Sequence, residues 1–192
     1  MLSLLLELQR LKRLDRTGWT LRGLAPGAES VGAHSFGVAA AAMLLADVVR
    51  SRGVEVNVEQ VLRLAITHDW AEARTGDMPR AAQHYFGANA RHAAEQAAFA
   101  DMVRDLGANL SEEYEAGHTD YERRASLEAR LVKAADVIDL LTQALAFERA
   151  GVRGLDEFWA GAEARDFGLE GVARSVVADL FKALVAARGQ VK

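Results

Sequence analysis

Residues 121–149 read YERRASLEARLVKAADVIDLLTQALAFER, and the spacing within this stretch decides the fold. Apolar side chains recur every three or four positions, which is the period of an α-helix that packs one face on a core. These positions are Leu127, Leu131, Ala135, Ile138, Leu141 and Leu145. We therefore predict one long helix from about Tyr121 to Arg149, ended by Gly151 and Gly154.

The same helical period recurs on both sides of this stretch. Residues 19–31 contain Pro26 and several glycines, and they are predicted to form an ordered loop. No segment shows the alternation typical of a β-strand, so the predicted fold class is all-α. Three other helices are predicted at about Leu2 to Leu14, Ala33 to Ser51 and Ala88 to Leu106. A further helix is predicted to follow a cap at Asn57, with Gln60 as its capping-box partner. Short helices are predicted to start at Pro79 and at Ser111, and two more helices fill the C-terminal part.

The bulk composition is that of an ordinary globular protein. A chain of 192 residues with 51% apolar and 26% charged residues is expected to form a single domain over 1–192. The net charge of −4 gives no sign of duplex nucleic-acid binding, which needs a basic face. The chain has no cysteine, which excludes disulfides, thiolate metal sites and a cysteine nucleophile, and suits a cytoplasmic location.

The leucine-rich N-terminus is predicted to be an amphipathic helix and not an export signal. The apolar run ends at Glu7, and basic residues follow it, whereas a signal peptide carries its charge in front of a longer apolar run. No stretch of uninterrupted apolar residues reaches the roughly 18 needed to span a membrane. We therefore expect no membrane partner.

Two histidines and two aspartates from three helical segments suggest a metal site. His68-Asp69 ends one apolar segment, His34 begins another, and Asp136 lies in the middle of the long helix. Nitrogen and oxygen ligands of this kind suit a divalent metal, which lowers the pKa of a bound water and holds a phosphate oxygen. Each residue also has a structural reading, since His34 can simply begin its helix and Asp136 can form a buried salt bridge with Lys133 or an arginine.

Two further carboxylates accompany this set. Glu72 lies three residues beyond Asp69, so a continuing helix would place both on one face. Asp77 follows across the Thr75-Gly76 turn, close enough to return to the same pocket.

Several separated motifs resemble the HD-domain metal-dependent phosphohydrolases, and within them the branch of 5′-deoxynucleotidases. The similarity runs from about Leu8 to Trp159. One departure is Ala33, which stands where the family often has Glu before the first metal histidine. The motifs that carry the resemblance are residues 16–23 (RTGWTLRG), 29–35 (ESVGAHS), 68–79 (HDWAEARTGDMP), 112–115 (EEYE), 133–136 (KAAD) and 143–148 (QALAFE).

The resemblance implies a compact HD-domain helical bundle with C-terminal helices packed on it, and a role for each matching position. His34, His68, Asp69 and Asp136 match the metal ligands of the family. Glu72 and Asp77 match the acid/base carboxylates, but which of them protonates the leaving group stays open. Trp19 matches a residue beside the sugar, and Arg16 or Arg22 is expected to neutralise phosphate. The remaining histidines, His84, His92 and His118, match nothing in the pattern and are interpreted as surface or packing residues.

The expected function is removal of phosphate from deoxyribonucleoside 5′-monophosphates, a small-molecule nucleotide substrate. The expected cofactor is one divalent metal ion, with manganese, cobalt, magnesium, iron and zinc all compatible with a His/Asp set. Members of this branch are usually homodimers, so a homodimer is expected. Two alternatives remain open: a hydrolase of another small nucleotide or phosphoester, and a catalytically weak protein that senses nucleotides.

Overall fold

A computed structural model describes residues 1–79, 82 and 85–191, with the backbone alone for residue 88. Regular structure in these residues is helical, which confirms the all-α prediction. One isolated antiparallel bridge joins Asp15 to Ser30. On either side of it the Arg16 N–H donates to the Glu29 carbonyl and the Val31 N–H to the Leu14 carbonyl, and these bonds close the loop between residues 16 and 29.

The helices follow one another with short connections. In the part of the chain that the structure describes, 3₁₀ turns at Gln9–Lys12, Arg104–Leu106 and Ala162–Ala164 extend or link them. In the described residues the α-helices are α1 Leu2–Leu8, α2 Thr17–Thr20, α3 Val31–Ser51, α4 Val58–Thr67, α5 Glu72–Thr75, α6 Ala88–Val103, α7 Ala108–Arg123, α8 Leu127–Arg149, α9 Asp156–Trp159 and α10 Gly171–Arg188. The predicted short helix from Pro79 lies partly outside the described residues.

The long helix predicted from Tyr121 to Arg149 is two helices. The first ends at Arg123, and Arg124 adopts a φ of 52°, a left-handed conformation that no helix interior tolerates. Ser126 then caps α8, because its side chain accepts a hydrogen bond from the Ala129 N–H at 3.0 Å. The apolar period does not reveal this break, since it starts only at Leu127.

Two polar residues near helix ends, Gln60 and Ser111, make hydrogen bonds that differ from those predicted. The Gln60 N–H donates to Asn57 Oδ1 at 3.1 Å, which confirms Asn57 as the cap of α4, but the Asn57 N–H donates to Glu128. Ser111 does not begin its helix, because α7 already starts at Ala108. Its buried hydroxyl donates to the Val103 carbonyl at 2.7 Å and so satisfies the end of α6.

Contacts between residues divide the chain into two compact units, each built from two segments. The first unit comprises Met1–Phe36 and Ile66–Arg123. Its buried side chains form two clusters, in which α1, the start of α3 and α5 meet α6. These clusters are Leu4, Leu11, Val31, Ala73 and Met102, and Ala71, Phe99 and Val103.

The second unit comprises Gly37–Ala65 and Arg124–Lys192. Within it α10 packs on α8, and an ion-pair network joins the two helices. The guanidinium of Arg188 donates to both carboxylate oxygens of the buried Glu148 and to Asp156, and it stacks over the Trp159 ring at 5.0 Å. That the whole chain forms one domain stays a prediction.

Among the described residues, α3 is the one helix long and apolar enough to cross a membrane by length and composition. The core helix of a water-soluble protein passes the same test. Its buried positions, which are Val31, His34, Val38, Ala42, Leu45, Ala46 and Val49, recur every three or four residues, so one face of α3 packs inside the protein.

Candidate active site

Two histidines and an aspartate converge in the first unit. His34 lies in the first turn of α3, and His68 and Asp69 follow the last residue of α4. Asp69 Oδ2 lies 3.1 Å from His68 Nε2 and 3.8 Å from His34 Nε2, and all three atoms are buried. The structure therefore brings together three of the four predicted ligands, with a nitrogen of each histidine near one oxygen of Asp69.

The charge of Asp69 is stabilised by its neighbours. Burial alone raises the pKa of this carboxyl, but His68, His34 and Arg16 together lower it far below its ordinary value. Arg16 contributes through its Nη1, which lies 3.6 Å from Asp69 Oδ2. Asp69 is therefore ionised at neutral pH, as a metal ligand must be.

The pKa of Glu72 is shifted in the direction opposite to that of Asp69. It begins α5 with only 4% of the residue exposed, and its Oε2 is buried without a hydrogen-bond partner among the described residues. Burial raises the pKa of Glu72 well above its ordinary value, and the charges of Asp69 and Asp77 raise it further. Since α4 ends at Thr67, no continuous helix joins Asp69 to Glu72 as expected, and a single turn connects them instead.

Asp77 is held beside the same carboxylates by the start of α2. Its Oδ2 accepts hydrogen bonds from the Thr17 N–H at 2.6 Å and the Thr17 hydroxyl at 2.9 Å. Its Oδ1 lies 3.9 Å from Arg16 Nη1. Arg16 Nη1 thus lies between Asp69 and Asp77, and the predicted contact of Arg16 with phosphate stays a prediction.

The side chains of the other two predicted substrate residues, Trp19 and Arg22, form hydrogen bonds with groups of their own loop. Trp19 is 1% exposed, and its indole N–H donates a short hydrogen bond to the buried carboxylate of Glu29. Arg22 donates from Nη1 to the Gly18 carbonyl at 3.0 Å. Trp19 therefore anchors the loop in this conformation, and its predicted contact with the sugar stays a prediction.

Asp136 belongs to the second unit. It lies on α8 among buried apolar residues. Its Oδ2 accepts a hydrogen bond from Lys133 Nζ at 2.8 Å, which is the ion pair that the sequence offers as an alternative to metal binding. Its assignment as the fourth ligand stays a prediction.

The sequence did not single out several polar or aromatic groups of the first unit. The buried Tyr121 ring packs edge-on to His68, with 5.4 Å between ring centroids. On α6, Arg91 donates from Nε to the buried Glu95 at 2.6 Å. Charged residues four apart on an alanine-rich helix usually lie on a solvated face, so the sequence gives no signal for this pair beyond the spacing of Glu95 from the buried Phe99.

The three remaining histidines lie in different surroundings. His118 is buried and stacks on Phe99 with ring centroids 4.3 Å apart, and burial lowers its pKa. His92 Nδ1 lies 3.0 Å from the Glu122 carboxylate on the adjacent helix. His84 lies outside the described residues.

The donor set of the first unit fits a divalent cation. Two imidazole nitrogens that each lie within 4 Å of an ionised carboxylate oxygen form a mixed nitrogen/oxygen set that manganese, cobalt, magnesium, iron or zinc can accept. Three buried groups of this kind are costly to bring together unless a cation or a proton is shared between them. A His/Asp cluster able to bind metal is thus part of this fold.

Comparison with known proteins identifies the family. The model of the family described as "HD domain" matches residues 8–161. The chain belongs to the HD-domain family. This result confirms the resemblance found in the sequence, and HD-domain phosphohydrolase is the class that the comparisons support.

Relatives of this HD-domain protein carry a common name. The protein named 5′-deoxynucleotidase HDDC2 from Xenopus laevis is 34% identical over 139 residues, which cover 72% of this chain and 65% of that protein. Its counterpart from Danio rerio is 31% identical, with 86% of this chain and 79% of that protein covered. The 5′-deoxynucleotidase hdd1 of Schizosaccharomyces pombe is also 31% identical, with 80% and 77% covered.

Solved structures share the whole fold. The PH0347 protein from Pyrococcus horikoshii OT3 superposes with a TM-score of 0.80 at 34% identity, over 97% of this chain and 99% of that chain. A protein described as a predicted metal-dependent phosphohydrolase, from Magnetospirillum magnetotacticum MS-1, superposes with a TM-score of 0.66 over 98% and 92% of the two chains. At 24% identity this second likeness shows the fold alone.

Proposed function

We propose that this HD-domain protein is a metal-dependent 5′-deoxynucleotidase, which hydrolyses deoxyribonucleoside 5′-monophosphates to the nucleoside and phosphate. The observation that carries the proposal is the convergence of His34, His68 and Asp69 next to a buried Glu72 with a raised pKa. The relatives named 5′-deoxynucleotidase support the choice of substrate.

One divalent ion is the proposed cofactor, held by His34, His68 and Asp69, with Asp136 as the fourth ligand implied by the family pattern. When bound, such an ion lowers the pKa of a coordinated water and polarises a phosphate oxygen. The chain's own part is to keep Asp69 ionised, which the positive groups around that carboxylate already do.

Glu72 is the proposed general acid. The bond between phosphorus and the 5′-oxygen breaks as water attacks phosphorus, and the 5′-oxygen is a poor leaving group until it receives a proton. A carboxyl that keeps its proton at neutral pH can donate it to that oxygen, an effect worth about 10²–10⁴-fold in rate. The raised pKa of Glu72 supports this assignment, and it leaves Asp77 to orient the attacking water.

Arg16 is the proposed phosphate contact, because its guanidinium already lies between two carboxylates of the site. Arg22 and Trp19 remain in the proposal as residues of the same loop that contact substrate if the loop rearranges on binding.

A homodimer in the cytoplasm completes the proposal. Three apolar side chains on α3, Met43, Leu44 and Val48, are 38%, 61% and 38% exposed, and a contiguous apolar face of this kind suits an interface between two copies. Sedimentation of the purified chain measures the oligomeric state directly.

The test of the function is a phosphate-release panel. Purified protein is assayed with all 5′-mono-, di- and triphosphates, ribo and deoxy, with each candidate metal in turn. Preference for deoxyribonucleoside monophosphates supports the proposal, whereas preference for another phosphoester assigns a different substrate to the same site.

Variants of the ligands test the site. Asp69→Ala and Asp136→Ala are expected to remain folded, lose bound metal and lose nearly all phosphatase activity. Asp47→Ala is the matched control, since this aspartate lies exposed on α3 in an ion pair with Arg50. Full activity in a metal-depleted Asp69 or Asp136 variant contradicts the metal site.

A further inference from the structure

One face of α6 lies against the segment that carries Asp69 and Glu72. Phe99 on this face is 1% exposed and belongs to a buried cluster with Ala71, and α6 also contacts α5. Positions four residues apart share a helix face, so Glu95 and Arg91 lie one and two turns before Phe99 on the same side. The helix therefore presents these two charged residues toward the candidate active site.

The Arg91–Glu95 pair differs from an ordinary surface ion pair. Its side chains are 26% and 11% exposed, whereas those of the pair Arg63–Glu59, with the same spacing, are 55% and 74% exposed. Removing both charges from water costs more than an exposed pair regains, so a partly buried pair of this kind adds little stability. Stability therefore does not explain why this ion pair is partly buried.

Part of the guanidinium of Arg91 makes no hydrogen bond to any residue that the structure describes. Its Nε donates to Glu95 at 2.6 Å, and among the described residues Nη1 and Nη2 make no hydrogen bond. Burial lowers the pKa of Arg91, but Glu95, and after it Glu72 and Asp69, raise it, which shows that the guanidinium lies within the electrostatic field of the site. Two Nη groups without a hydrogen bond to the described residues, near the candidate active site, match the bidentate geometry with which arginine binds phosphate.

We propose that Arg91, held in place by Glu95, binds the phosphate group of the substrate from the α6 side of the site. The inference rests on the proposed function for the identity of the ligand. Arg16 comes from the loop before α2 and lies between Asp69 and Asp77, whereas Arg91 comes from α6 and forms its ion pair with Glu95, which is not among the proposed metal ligands. Glu95 acts as a positioning residue, because it fixes the guanidinium without contacting phosphate.

Binding of inorganic phosphate tests the inference directly. The full chain is titrated with orthophosphate by calorimetry, with and without added manganese, and its metal content and melting temperature are measured in parallel. Arg91→Met is expected to weaken orthophosphate binding about 10- to 100-fold, the usual effect of a lost charge-assisted hydrogen bond, and to raise KM more than it lowers kcat. Arg91→Lys is expected to restore part of the affinity, and Glu95→Gln to weaken it less than Arg91→Met.

Arg104→Met is the matched control. This arginine follows α6 in the same unit and forms an exposed ion pair with Asp101, so its loss is expected to leave phosphate affinity unchanged. If Arg91→Met binds orthophosphate as tightly as the wild type, or if the wild type binds none, the inference is wrong. Phosphate binding through Arg91 without hydrolysis of any nucleotide would uphold the inference and refute the proposed function.

Discussion

At the scale of single residues, Glu72 is the group whose protonation the fold controls. Glu72→Gln removes the proton donor but keeps the volume and the ligand set. We expect metal content and nucleotide KM to stay near those of the wild type, and kcat to fall about 10²-fold or more. Single-turnover kinetics with metal analysis check both points. Loss of metal in this variant would instead make Glu72 a ligand.

The same residue gives the metal-free protein a pH-dependent stability. A carboxyl whose pKa is raised in the folded state favours folding below its unfolded pKa, and this contribution is lost as the pH rises from the ordinary value of 4.5 through the folded pKa. Each pH unit between the two pKa values costs about 1.4 kcal/mol. In urea titrations of metal-free protein at about pH 5 and about pH 9, Glu72→Gln is expected to lose less stability than the wild type. An equal loss in both proteins contradicts the raised pKa.

Variants of Trp19 distinguish a packing role of its ring from a contact with the sugar of the substrate. Trp19→Phe keeps an aromatic ring but leaves the Glu29 carboxylate buried without its indole donor, so we expect a loss of about 1–3 kcal/mol in the free energy of unfolding. Because Trp19→Phe keeps an aromatic ring at this position, the ratio of activity on deoxy and ribo monophosphates should stay near that of the wild type. A rise in ribonucleotide activity in Trp19→Ala, measured relative to deoxynucleotide activity, would assign the ring to sugar selection.

At the scale of elements, α3 depends on a glycine where an alanine would ordinarily serve better. A Cβ at Gly37 would overlap the Asp139 carboxylate of α8, and both residues belong to the second unit. Although alanine improves helix propensity by about 1 kcal/mol, we expect Gly37→Ala to lower the free energy of unfolding by about 1–3 kcal/mol. In a double-mutant cycle, Asp139→Ala should relieve most of this loss. Additive effects would show that the carboxylate can move aside.

The elements also show where sequence reasoning succeeds. Helices with a clear apolar period were placed well, and α3 starts two residues from its expected first residue. The sequence does not predict the break between α7 and α8, because one residue with positive φ is enough to end a helix, and the apolar period starts only after that residue, at Leu127. The Arg91–Glu95 pair was missed for a related reason, since charge alone does not tell a buried face from a solvated one.

Site residues at helix ends were easier to find than those within helices. His34 and His68-Asp69 stand where apolar runs begin and end, and the fold brings Asp69 Oδ2 within 4 Å of a nitrogen of each histidine. The roles of Glu72 and Asp77 depend on burial and on hydrogen bonds such as those from Thr17, which no linear pattern reveals. Tertiary contacts therefore raise the pKa of Glu72, an effect that the spacing of the sequence alone does not predict.

At the scale of the whole molecule, metal binding should be visible as folding stability. A ligand that binds only the folded state stabilises it by about 2.7 kcal/mol at a concentration one hundred times its Kd. We expect a chelator to lower the melting temperature of the wild type and excess manganese to restore it. Asp69→Ala should respond to neither, which a thermal scan of both proteins checks. A wild type whose melting temperature ignores chelator and metal would contradict the site.

The division of the chain into two interleaved units has a consequence for biosynthesis. The first unit needs residues up to Arg123, and the second joins residues 37–65 to a segment that starts at Arg124. On the ribosome, residues 37–65 therefore emerge long before their partners and must wait while the whole of 66–123 is made, several seconds at about 5–20 residues per second. During that interval the buried apolar side chains of α3 beyond residue 37 lack the second segment of their unit, so this nascent stretch is where a chaperone would engage.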